Sequence, residues 1–102
     1  MAVTGACEGR ALRLAVSGEV DHHRAGELMS DIDRYIDTCL PSRLTLDLSG
    51  VTFMDSSGIA IVLRCYRRLG DLGGALAIQG VPPQAAKVLR TAGLGRLIPF
   101  ED

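Results

Sequence analysis

A chain of 102 residues, 47% of them apolar, holds material for one hydrophobic core and not for two. Its 11 basic and 12 acidic residues leave a net charge of −1, without the basic surplus that marks nucleic-acid binding. No apolar run reaches the roughly 18 residues of a membrane helix, and Met1 to Arg10 lacks the basic start and apolar stretch of a secretory leader. The expectation is one soluble, cytoplasmic domain over residues 1–102.

Val3 to Cys7 and Ala11 to Ser17 read as two strands around a turn at Glu8-Gly9. In the second, Leu12, Leu14 and Val16 alternate with Ala11, Arg13 and Ala15, the pattern of a sheet with one buried face. From Arg24 to Asp37 the period becomes helical: Ala25, Leu28, Met29, Ile32, Tyr35 and Ile36 share a face. Asp21 is placed as the N-cap of that helix, and Pro41 prevents its continuation.

Arg43 to Leu48 alternates as a third strand, and Ser57 to Leu69 is a second helix with Gly70 as its expected left-handed terminator. Gly73 and Gly74 turn into a short strand, Ala75 to Gln79. Pro83 then stands near the first position of a third helix, with Ala85, Val88, Leu89 and Ala92 on its buried side. Gly93 and Gly95 end it, and Leu97 to Phe100 reads as an edge strand. The order β-β-α-β-α-β-α-β predicts an α/β fold: a mixed, mostly parallel sheet with right-handed crossovers and packed helices. Ligands and partners then meet the loops at the carboxyl ends of the strands, here Ser17 to Arg24 and Ser49 to Gly58.

Cys7, Cys39 and Cys65 show no C-x-x-C spacing, which argues against a zinc ribbon or a dithiol redox motif. All three are expected to be free thiols, in keeping with a reducing cytoplasm.

The segment Phe53-Met54-Asp55-Ser56-Ser57-Gly58 joins a strand to a helix. A serine at a helix start accepts an amide hydrogen bond as an ordinary cap. The same amides and the positive end of the helix dipole also favour an anion. A phosphate on Ser56 would add about −1.5 to −2 charges there, and Gly58 would keep the turn open to an approaching protein. Spacing leaves both readings standing.

Together with Gly18-Glu19-Val20-Asp21-His22-His23, and with Thr91-Ala92-Gly93-Leu94 near the end, this segment resembles the anti-sigma factor antagonists, which are STAS-domain proteins, and the sporulation type in particular. The resemblance runs from the first strand pair to Phe100. It implies a phosphoprotein that switches partners in sigma factor and transcription regulation and is not an enzyme. In that scheme the unphosphorylated form binds an anti-sigma factor that is also a serine kinase of the GHKL type, and the sigma factor is released. Phosphorylation of the first serine of D-S-S-G ends the binding, and a serine phosphatase resets it. Carried over, the phosphorylated residue is Ser56, and the partner-binding residues are Glu19, Asp21, His22, Asp55, Ser56, Ser57 and Gly58. The resemblance implies no cofactor, no metal, no nucleic acid and no membrane, and a monomer when free. One departure is Ala60, where relatives often carry a second glycine.

Other readings carry less. A serine hydrolase would need His22 or His23 beside Ser56, and the segment is not G-x-S-x-G. The adjacent histidines lack a third ligand for a metal. Nucleotide binding lacks a Walker sequence and a lysine near either loop. Arg64, Arg67 and Arg68 form a solvated helix face or meet an acidic partner. The alternative within the same fold is a scaffold module of a stress-response complex.

Overall fold

The computed structural model describes residues 2–101. Its strands are β1 (Val3–Glu8), β2 (Ala11–Val20), β3 (Arg43–Met54), β4 (Ala75–Gln79) and β5 (Phe100–Glu101); its helices are α1 (Ala25–Cys39), α2 (Ser57–Asp71) and α3 (Pro83–Thr91), and Leu94–Arg96 form a 3-10 turn. The sheet order is β1-β2-β3-β4-β5. β1 runs antiparallel to β2, and every later pair is parallel. The predicted element order holds.

Because β2 to β5 advance across the sheet in one direction, right-handed crossovers place all three helices on the same face. The strands show it: Leu12, Leu14, Val16, Leu44, Leu46, Leu48, Leu76 and Ile78 are buried. Their alternates Ala11, Arg13, Ala15, Thr45 and Ala77 are exposed or half-buried on a face that no helix among the described residues covers. Leu28, Ile32 and Ile36 of α1 are at most 1% exposed, each stabilising the fold by roughly 1.5–3 kcal/mol. Arg64 and Arg68 of α2 both reach Asp33 of α1, and Arg68 also pairs with Asp37. These two arginines thus serve a helix–helix tie.

Several boundaries differ from the sequence reading. β2 and β3 do not stop at Ser17 and Leu48 but pair onward to Val20↔Met54, through register shifts at Ala15/Ser17 and Gly18/Glu19. The two polar loops therefore shrink to the few residues beyond those strands. β4 ends at Gln79, opposite Asp47, so the far half of β3 has no strand on that side. The Gln84 side chain substitutes for one: its Oε1 accepts from the Met54 N–H (2.8 Å) and its Nε2 donates to the Met54 carbonyl (2.7 Å). Gly70 lies inside α2, and Gly73 (φ 71°) takes the left-handed turn instead. Ala92 is exposed at the end of α3, and the last strand starts at Phe100, with Leu97 exposed and Ile98 buried ahead of it.

The thiol expectation is also corrected. Cys7 and Cys39 are joined by a disulfide, with Cα atoms 6.0 Å apart, and only Cys65 is free, buried in the core. The register explains the pairing. Val3, Gly5 and Cys7 alternate onto the helical face of β1, and Cys39 is the last residue of the helix lying over it.

Candidate functional site

The parallel ends of β2 and β3 deliver two short loops side by side, Asp21 to Arg24 and Asp55-Ser56. Asp55 joins them. Its N–H donates to the Val20 carbonyl (3.0 Å), its Oδ2 accepts from the His22 N–H (3.1 Å), and its Oδ1 accepts from the Ser57 N–H (2.7 Å). The Ser57 amide above all, helped by that of His22, holds the Asp55 carboxyl below the usual carboxylate range, so it is ionised at neutral pH.

Helix α2 is consequently capped by Asp55 and not by the serine. Ser56 occupies the N-cap position with helical dihedrals (φ −62°, ψ −16°) and makes no side-chain cap bond. Its residue is exposed, and its hydroxyl has no hydrogen-bond partner among the described residues. The first helix amides are already engaged: Ser57 N–H with the Asp55 carboxylate, Gly58 N–H with the Asp55 carbonyl (3.0 Å), Ile59 N–H with the Ser56 carbonyl (3.1 Å). The expectation that these amides would hold a phosphate on Ser56 is therefore corrected.

Gly58 does not keep the turn open to an incoming protein. It is buried, and a Cβ there would press on the Sδ, Cγ and Cε of Met54, with Cε at 2.9 Å. The glycine lets α2 start directly over the end of β3. Ala60, by contrast, is exposed, so its methyl alters the surface and not the core.

Across the site, Asp21 does not sit at the N-cap of α1, which is Arg24; its Oδ1 accepts the Arg24 N–H (3.1 Å) and closes the turn just before the helix. The Arg24 guanidinium folds back to donate to the Glu19 carbonyl (3.1 Å), over Gly18. Gly18 has φ 85°, and a Cβ there would stand 2.6 Å from that guanidinium, which accounts for the glycine. Glu19 itself is exposed and pairs in register with Phe53, an exposed aromatic residue. His22 and His23 both lie at the surface, their ring centroids 4.0 Å apart, with His22 Nδ1 3.8 Å from Asp55 Oδ2. The two rings lie together at the surface, and neither packs into the core.

Glu19, Asp21, His22, Asp55, Ser56, Ser57 and Gly58 are thus gathered at one end of the sheet, with Gly58 supporting it from below. Sequence reasoning missed Arg24 and Gln84, whose partners are backbone groups and leave no motif. A shallow groove continues from Ser57 between the helices, lined by Ala25, Gly26, Met29, Ala60, Ile61 and Arg64. Among the described residues no three His, Cys, Asp or Glu side chains converge as metal ligands, and no helix is long and apolar enough to cross a membrane. Among the described residues Ser56 makes no hydrogen bond to either histidine, and the cross-loop partner of His22 is Asp55. The site offers a free hydroxyl, fixed carboxylates and an apolar ring to a macromolecular surface.

Comparison with known proteins agrees. Residues 4–99 match the family model described as Mlab, STAS domain. An anti-sigma F factor antagonist from Paenibacillus polymyxa is 32% identical over 91 residues, 89% of this chain and 78% of that protein. The structure of the anti-sigma factor antagonist SpoIIAA in its unphosphorylated form superposes with a TM-score of 0.82 at 25% identity, covering 97% of this chain and 87% of that one. The Bacillus cell fate determinant SpoIIAA in the phosphorylated form gives 0.74 at 25% identity, covering 97% and 90%.

Proposed function

Since the chain belongs to the STAS-domain family, we propose that it is a non-catalytic, phosphorylation-controlled anti-sigma factor antagonist of the cytoplasm, acting in sporulation. The unphosphorylated form binds an anti-sigma factor serine kinase of the GHKL type and releases the sigma factor. The kinase transfers phosphate to Ser56, the complex separates, and a serine phosphatase restores the hydroxyl. Glu19, Asp21, His22, Asp55, Ser56 and Ser57 form the contacting surface, and Gly58 seats it.

The observation that carries this reading is the unengaged Ser56 hydroxyl. Asp55 has taken over the capping duty, so Ser56 can be modified without breaking any bond of the fold. The engaged amides behind it give a phosphate nowhere to withdraw. Its charge would stand beside the ionised Asp55 and face the docked kinase and its nucleotide phosphates, where like-charge juxtaposition costs several kcal/mol. At ~1.4 kcal/mol per tenfold, that is orders of magnitude in affinity. The names of the relatives, and SpoIIAA having a phosphorylated form, support the same reading.

The test is a pull-down with the unphosphorylated protein, followed by incubation of the captured kinase with ATP and mapping by mass spectrometry. Capture of a GHKL-type kinase and phosphate on Ser56 are expected. Phosphate on Ser57, or capture of stress-complex scaffolds without a kinase, would overturn the proposal.

A further inference from the structure

The Cys7–Cys39 disulfide closes the end of α1 remote from the switch loops, residues 21–24 and 55–56. The helix has 15 residues, so about 21 Å separates its first residue from Cys39 at 1.5 Å per residue. Cys7 is exposed on the edge strand β1, and Cys39 is half-buried. The bond therefore lies within reach of solvent reagents. Cys65 differs on every count: it is 0% exposed, and burial above all pushes its thiol up to about 12, which keeps it out of thiolate chemistry.

Contacts other than the disulfide hold the same two segments together. The Arg10 carbonyl, at the hairpin tip, accepts from the Ser42 N–H (2.8 Å) and the Arg43 N–H (3.2 Å), and Arg10 Nε donates to the Leu40 carbonyl (3.2 Å). Nearer the middle of α1, the Tyr35 ring lies on Gly5 so closely that a Cβ would stand 2.8 Å from it. With the disulfide opened, this frame keeps the hairpin under the end of α1 and the two thiols side by side.

We infer that Cys7 and Cys39 are a reversible redox modification site, opened and closed by thiol–disulfide exchange with small-molecule disulfides and dithiols, whose state sets the stability of the domain and not the form of the switch loops. In closing, the Cys7 thiolate attacks one sulfur of a small-molecule disulfide such as glutathione disulfide, and the other half leaves as a thiolate. The Cys39 thiolate then attacks the Cys7 sulfur of the mixed disulfide and expels the second half. The two protein thiols lose two electrons to the reagent, and their two protons end on the two thiols released. A dithiol such as dithiothreitol reverses both steps. The bond spans 32 residues of chain, and constraining a loop of that size in the unfolded state raises Tm by roughly 10–25 °C.

The full chain is equilibrated with glutathione disulfide, or with dithiothreitol, and alkylated without denaturant. The oxidised form is expected to take up no label at Cys7 or Cys39, and the reduced form to take it up at both and not at Cys65. Tm should fall on reduction and recover on reoxidation, while exchange protection of the His22 and Ser57 amides stays the same in both states. Cys7→Ser and Cys39→Ser should melt with the reduced protein and ignore dithiothreitol; if either fails to fold, the wild-type measurements still decide. Labelling of Cys7 and Cys39 in the oxidised protein, or one Tm in both states, overturns the redox site. A change in protection at His22 and Ser57 overturns its separation from the loops. None of these readouts uses a partner, so they stand apart from the fate of the antagonist proposal.

Discussion

Replacing Gly58 with alanine sets helix propensity against packing, and the two predict opposite signs. Propensity favours alanine by about 0.5–1 kcal/mol inside a helix. Packing opposes it, because the new methyl would fall against Met54, with the Cγ at 2.5 Å and the Cε at 2.9 Å. Met54 is 2% exposed, and Gln84 pins its backbone N–H and carbonyl. Relief must come from the thioether alone, since the apolar cavity it borders holds only about 10 Å³, and overpacking of this kind costs about 1–3 kcal/mol. At the midpoints of the two ranges the net loss is about 1 kcal/mol, or roughly 4–8 °C in Tm for a domain of this size. Thermal and urea unfolding of Gly58→Ala, Met54→Ala and the double variant provide the assay. Met54→Ala removes the obstruction, so in that background Gly58→Ala should be neutral or stabilising. A Gly58→Ala protein at least as stable as wild type would refute the reasoning, and so would an equal cost in both backgrounds.

Ser56→Asp should fold with a stability within about 1 kcal/mol of wild type, since an anion at a helix N-terminus gains 0.3–1 kcal/mol and Asp55 next door offsets part of it. It should lose affinity for the nucleotide-loaded kinase while Ser56→Ala keeps it, and equal affinities measured by calorimetry would count against repulsion as the switch. Asp55→Asn should lower Tm at neutral pH. The carboxyl of Asp55 lies below its ordinary range in the fold, so its contribution is present above that range and lost as pH falls through the lowered value. Melting curves of the two proteins should converge on acidification, and parallel curves would contradict the assignment. Gln84→Ala should cost about 1–2 kcal/mol through two lost backbone partners, seen as a lower urea midpoint at unchanged slope.

The order of elements was legible because each buried face repeats with its own period. Leu44, Leu46 and Leu48 alternate as a strand, and Leu28, Ile32 and Ile36 recur as a helix. Beyond Leu48 that signal fails for a physical reason. Residues Ser49 to Met54 stay in the sheet, but a register shift breaks the alternation and only Val51 and Met54 are buried. Local capping rules located the site yet assigned the wrong residue, because Asp55, one position earlier, reaches the Ser57 amide and leaves Ser56 idle. The disulfide could not be read at all. It depends on β1 and the last turn of α1 meeting across 32 residues, and no spacing motif encodes that meeting.

The coincidence of strand order with chain order bears on how the domain is made. Each strand after the first joins the edge its predecessor has just completed, and none must be inserted between two others. Synthesis can therefore extend a finished sheet without reopening it, and every closure spans a single hairpin or crossover. By the time α2 has emerged, the loops at residues 21–24 and 55–56 and the helix between them are in place. The elements after α2 serve to cover β3 and its core side. The last edge, Phe100–Glu101, is fixed to β4 by few bonds, such as those from the Ile78 N–H to the Pro99 carbonyl and from the Gly80 N–H to the Glu101 carbonyl. An edge held by so few bonds is where fraying is expected to begin, at the border farthest from β1, with β3 and β4 between it and the end of β2.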